Sequence, residues 1–231
     1  MKKTVLCFLL CAWVASMSAQ VKVSVLGDSY STYEGWIPEG FANWYAPWRG
    51  NDVKKVEDTW WYRLIEDNGL QLEKNNSFSG ATICNTGYNG DDYTEKSFLT
   101  RSGDLGENPD VIFVFGGTND DWAGVPLGDP DDTDMFTLRP AVKAMFQNIK
   151  ATYPDALCVA IINTELKEDT EKAIIEGCDI EGIPYIRLNA IDKQKGHPSI
   201  SGMNAISHQV WKATAPLLYE KLKTSKAPSQ R

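Results

Sequence analysis

The chain has 231 residues, 42% of them hydrophobic and 23% charged, and its 31 acidic against 23 basic side chains leave a formal net charge of −8. Such a balance argues against nucleic acid or an anionic membrane surface as partner, because both repel an acidic protein. The length suits a single α/β domain with one sizeable core.

The first expected feature is a leader. Residues 1–19 hold Lys2 and Lys3, an apolar run from Val5 to Val14, and then small residues, the pattern of a secretory signal removed on export. The run is too short to stay as a membrane anchor. Neither Cys7 nor Cys11 follows a small residue, so no lipid attachment is expected. Loss of the two leader lysines takes the charge from −8 to −10. The expected product is residues 20–231, exported to the periplasm or beyond, without a stable membrane anchor.

Along the exported part, a strand is expected at 21–26, where Val21, Val23 and Val25 alternate with polar residues before Leu26. A helix at 59–67 follows, with Asp58 as its cap, and then a strand at 70–74. A second apolar strand spans 111–116, and a helix 138–152 repeats Leu138, Val142, Met145, Phe146 and Ile149 at helical spacing, a core stripe. A strand at 157–162, a helix at 168–178, a short strand at 185–188 and a helix at 201–222 complete the order. Strand and helix in alternation predict a parallel sheet covered on both faces. No repeat or linker interrupts it.

Two stretches read as loops, 30–57 and 120–136. The first carries Tyr30, Tyr33, Trp36, Trp44, Tyr45 and Trp48, and the second carries Trp122. Aromatic faces there could stack on sugar rings or simply pack the loops down. Asp129, Asp131, Asp132 and Asp134 lack the glycine and terminal glutamate of a calcium loop, and read as a solvated segment. Cys84, Cys158 and Cys178 are an odd number, which allows at most one disulfide, and they read as small buried hydrophobes. Zinc-site spacings are absent, and no metal or cofactor is expected.

Four short blocks carry chemistry. Gly27-Asp28-Ser29 ends the first strand; Asn76-Ser-Phe-Ser-Gly80-Ala-Thr82 follows the second; Gly117-Thr-Asn119-Asp120 follows the third; Gly196-His197-Pro198 lies near the end. In this order and strand context they resemble the SGNH, or GDSL-like, family of esterases and acylhydrolases, over most of the exported chain. The resemblance implies a three-layer α/β/α sandwich with a flavodoxin-like parallel sheet. It also implies Ser29 as nucleophile and His197 as general base, with an oxyanion hole made by the backbone N–H groups of Ser29 and Gly80 and the Asn119 amide. The chain has only two histidines, and the other, His208, falls off the apolar stripe of the last helix.

One departure concerns the residue that orients the histidine. The family usually places an aspartate three residues before it, and here that position is Gln194. Asp192 is the expected carboxylate, with Gln194 and a main-chain carbonyl as rivals, and a Ser-His dyad as the outcome if neither side chain serves. The reading is a secreted esterase that removes acetyl or other small acyl groups from glycans, with Trp44 and Trp122 lining the substrate cleft. A lipase or thioesterase on longer acyl chains is the enzymatic alternative, and a non-catalytic sugar-binding module the structural one. Glycan, acyl group and oligomeric state stay open at this point.

Overall fold

The structure, a computed structural model, describes residues 20–226. The expected leader lies outside the described residues. Strand β1 (Lys22–Gly27) runs into a single-turn helix at Ser29–Ser31. Helix α1 (Trp60–Asp67), strand β2 (Gln71–Ser77), the one-turn helix α2 (Phe98–Arg101), strand β3 (Val111–Phe115) and helix α3 (Thr118–Ala123) follow. Then come α4 (Leu138–Thr152), β4 (Leu157–Ile162), α5 (Glu168–Glu181) and β5 (Tyr185–Arg187). A two-strand hairpin, β6 (Lys193–Gln194) and β7 (His197–Pro198), leads into the long α6 (Ile200–Lys226).

The sheet has five parallel strands in the order β2-β1-β3-β4-β5, so the chain reverses its direction of growth between β1 and β3. That reversal opens a crevice at the carboxyl edge, where ligands of this architecture collect. The sheet's faces are unlike partners. Leu26, Ile112, Val114, Ala160 and Ile162 pack toward α4 and α5, while Val23, Val25, Phe113, Phe115 and Ile161 pack toward α1 and α6. Alternation along each strand thus sorts apolar side chains to both faces, and each large one buried adds about 1.5–3 kcal/mol.

Several boundaries differ from the sequence expectation. Strand β2 runs on to Ser77 because Asn75, Asn76 and Ser77 pair with Val25, Leu26 and Gly27, although asparagine is a poor strand former. Two of these side chains bond inside: Asn75 Nδ2 donates to the Ser31 carbonyl at 2.9 Å and Ser77 Oγ to Asn75 Oδ1 at 2.6 Å. Asp58 does not cap α1. Thr59 occupies the cap, while Asp58 sits in its own turn at Val56–Asp58 and bonds Arg63 at 3.1 Å. The expected loop from 120 begins inside α3, and α5 continues past Cys178 to Glu181. Cys84, Cys158 and Cys178 are free, buried thiols. Among the described residues no helix is long and apolar enough to cross a membrane.

Candidate active site

Ser29 leaves the sheet at the end of β1. Gly27 must be glycine there, because a Cβ would meet Ser31 Cβ and Ser77 Oγ at 2.6 Å. Asp28 caps the turn that carries the serine, its Oδ1 accepting the Tyr30 N–H at 2.9 Å. Burial pushes this carboxyl up to about 7, with the neighbouring Asp120 adding to the effect and Arg101 opposing it.

His197 arrives from the other end of the chain. The turn between β6 and β7 is Lys195-Gly196, with φ of 53° and 77°, the left-handed pair that closes two-residue hairpins. This tight turn places His197 Nε2 at 3.0 Å from Ser29 Oγ. It also folds the Lys195 carbonyl beneath the ring, 3.2 Å from Nδ1. A carbonyl accepts only, so Nδ1 carries the proton and Nε2 is left to accept from the serine. Burial pushes the imidazole down to about 4, and Lys193 adds to that fall. At neutral pH the ring is therefore an uncharged base.

Among the described residues no carboxylate bonds the ring. Asp192, the expected third member, is turned away: its carboxylate takes the Ser199 hydroxyl at the start of α6, and its carbonyl takes the Ser199 N–H at 3.0 Å. Gln194 stands opposite His197 in the hairpin, yet its amide is held by Asp52, at 3.0 Å through Nε2 and 3.2 Å through Oε1. The local reason is the two-residue turn. It brings the carbonyl of residue 195 to Nδ1 before any side chain can, leaving a Ser-His pair held by backbone.

Asn119 lies on the first turn of α3, entered through Gly117 at φ 95°. Its Oδ1 accepts the Tyr88 hydroxyl at 2.8 Å, and its Nδ2 donates to the Ala81 carbonyl at 2.9 Å. The second amide hydrogen has only Asp28 Oδ2, at 3.5 Å, so it can turn to an incoming oxygen. Asp120 anchors the facing loop, its carboxylate accepting from the N–H groups of Ile83 at 2.9 Å and Cys84 at 3.3 Å. In that loop Gly80 has φ 84°, and a Cβ there would point into open space. Glycine is needed for the left-handed backbone, and the space in front of it is where a reacting group can come close.

Of the two tryptophans expected in a substrate cleft, they divide. Trp122 is 49% exposed and stands edge-on to His197, with centroids 6.0 Å apart. Trp44 instead lies flat on the imidazole, with centroids 3.7 Å apart and planes 8° from parallel. One face of Trp44 thus lies on the histidine, and the ring also bounds a hollow with Arg49, Asn51 and Lys195. Tyr88 escapes sequence reasoning, as do the hydrogen bonds of Tyr30 and Tyr45; the main-chain carbonyl expected as a rival to Asp192 is that of Lys195. The weak signals were the Asn89-Gly90 turn after Tyr88 and the short spacing from Gln194 to His197. Among the described residues no group of three or more His, Cys, Asp or Glu side chains is placed to hold a metal.

Five parallel strands reversing at β1, with a serine and a neutral histidine in contact at that edge, define an α/β ester hydrolase. The chain belongs to the GDSL-like lipase/acylhydrolase family, whose model matches residues 21–214. It is similar to a protein described as a GDSL-like lipase from Bacteroides uniformis, 48% identical, TM-score 0.83, covering 86% of this chain and 97% of that one. A second, from Bacteroides ovatus, is 44% identical with TM-score 0.82, covering 86% and 99%. A family 3 carbohydrate esterase from Clostridium thermocellum, 17% identical with TM-score 0.56 over 87% and 98%, shares the fold. No curated protein matches.

Proposed function

We propose that this ester hydrolase is an exported carbohydrate esterase that removes acetyl or other small acyl groups from glycans. Ser29 Oγ attacks the acyl carbon as its proton passes to His197 Nε2. The tetrahedral oxyanion is held by the Ser29 and Gly80 N–H groups and the Asn119 amide. The C–O bond to the sugar then breaks, and the Nε2 proton goes to the leaving alkoxide. Water repeats the sequence on the acyl-enzyme and releases the acid.

The observation that supports a glycan is a cleft of about 770 Å³ past the carboxyl end of β2, lined by Glu39, Phe41, Phe78, Asp92, Tyr93 and Lys96 among others, and not by Ser29 or His197 themselves. It adjoins the oxyanion loop, since Phe78 N–H bonds the Gly27 carbonyl at 3.0 Å and Tyr93 packs on Tyr88 at 6.5 Å between centroids. Rings with carboxylates and an ammonium group suit a hydroxyl-rich sugar. A long acyl chain would want an aliphatic wall, and the cleft lining holds no Leu, Ile or Val. Export is supported by the leader pattern at 1–19.

The test is release of acetate from a panel of acetylated polysaccharides, beside hydrolysis of p-nitrophenyl acetate and octanoate. Expected are acetate release and a preference for the acetyl ester. A faster octanoate reaction with no acetate released would move the protein to the lipase side of its family. Ser29→Ala should fold normally and keep under about a tenth of wild-type turnover.

A further inference from the structure

The proposed reaction leaves one problem unsolved by the groups already described. When Ser29 gives up its proton, His197 becomes a cation in a buried place, and the acceptor at Nδ1 is a neutral carbonyl. Among the described residues Asp192 and Asp52, the carboxylates of this corner, are both engaged elsewhere, with Asp52 Oδ1 also accepting the Ile200 N–H at 3.1 Å. Of the other neighbours, Lys193 adds positive field, and the Tyr30 and Tyr45 rings stand at 60° and 79° to the imidazole, 5.2 and 6.4 Å away. Beyond that carbonyl, one group among the described residues lays a negative face flat on the ring. It is the π face of Trp44, parallel to the imidazole at 3.7 Å.

Trp44 is also tied to the nucleophile. Its N–H donates to Thr32 Oγ1 at 2.8 Å, and the Thr32 hydroxyl donates to the Ser29 carbonyl at 3.0 Å. Serine and indole therefore share one scaffold, with a single side chain between them. The indole Nε1 is buried without a partner among the described residues. No hydrogen bond of Nε1 sets the angle of the ring, which packs on His197 and has the Arg49 guanidinium 5.6 Å from its centroid. The neighbouring hollow, bounded by Trp44, Arg49, Gly50, Asn51 and Lys195, measures about 130 Å³.

We propose that Trp44 is a positioning residue for His197: its face fixes the imidazole plane toward Ser29 and offsets the charge the ring acquires, the part a triad aspartate would otherwise play. The inference rests on the Ser29-His197 reading. A cation on a tryptophan face gains more when water is excluded, and indole gives a larger effect than phenyl.

The experiment compares wild type, Trp44→Phe and Trp44→Leu on p-nitrophenyl acetate and on an acetylated oligosaccharide, with Ser29→Ala as control. Leucine keeps apolar bulk and loses the face, so kcat should fall roughly tenfold or more, equally on both substrates, with KM within about twofold. Phenylalanine should recover most of the loss. An active wild type with kcat unchanged in Trp44→Leu, or a loss confined to KM for the oligosaccharide, overturns this proposal alone. Turnover retained by Ser29→Ala overturns the Ser29-His197 reading and the inference with it. If the leucine variant lacks native circular dichroism, the wild-type His197 ring-proton shifts decide: strong upfield displacement supports the stack in solution, and ordinary shifts overturn it.

Discussion

The Tyr30 hydroxyl donates to the Gly196 carbonyl at 2.6 Å, so the residue after Ser29 holds the residue before His197. Tyr45 does the same on the other side, its hydroxyl donating to the Pro198 carbonyl at 2.8 Å. Two phenols thus bracket a histidine that is 168 positions away from its serine. Tyr30→Phe should cost about 0.5–1.5 kcal/mol of stability, the net worth of one part-buried hydrogen bond. It should also lower kcat while leaving KM nearly unchanged. Urea unfolding with steady-state kinetics checks both, and a change in KM alone would contradict the bracket.

Asp192→Asn and Gln194→Ala should both leave kcat within about threefold of wild type, since neither side chain touches the imidazole and charge matters only to a group that feels it. Asp192→Asn should instead lower the melting temperature, by weakening the bond to Ser199 that starts α6. A loss of two or more orders of magnitude in kcat for Asp192→Asn would return the aspartate to His197.

The acid limb of kcat/KM should lie near pH 4 to 5. Burial and Lys193 hold the imidazole down to about 4, so the neutral base survives well below the usual histidine range. The same shift makes stability rise with pH: between about 4 and the ordinary value near 6.5 the unfolded chain binds a proton that the folded one refuses. The contribution is complete above that window and lost below it. A limb centred near 7 would mean that a carboxylate charges the ring.

Asn119→Ala should lower kcat by about two to three orders of magnitude with little change in KM, the cost of one oxyanion donor. Tyr88→Phe removes the hydroxyl that holds Asn119 Oδ1 at 2.8 Å, and should cost less, roughly tenfold in kcat. Equal losses in the two variants would argue that Tyr88 itself meets the substrate.

Trp122→Ala should weaken hydrolysis of an acetylated oligosaccharide far more than that of p-nitrophenyl acetate, because the indole is 49% exposed beside His197 and the small ester cannot span to it. Parallel loss on both substrates, joined to a lower melting temperature, would leave the ring as packing against Gly196.

The sequence by itself determined the alternation of strands and helices, the strand ends bearing Ser29 and Asn119, and the choice of His197 over His208. Those are local matters: apolar periodicity, turn chemistry at the strand ends, and a count of two histidines are all written in adjacent residues. The extension of β2 through Asn75 and Asn76 was hidden, because their bonds go to Ser31 and to Asp104, the latter at 2.7 Å, residues distant along the chain. What the histidine leans on was decided only in three dimensions. The left-handed turn at Lys195-Gly196 chose a carbonyl over Asp192, and the fold of the 30–57 segment laid Trp44 on the imidazole. Stacking and long-range hydrogen bonds depend on where two remote segments meet, and residue spacing along one chain does not encode that meeting.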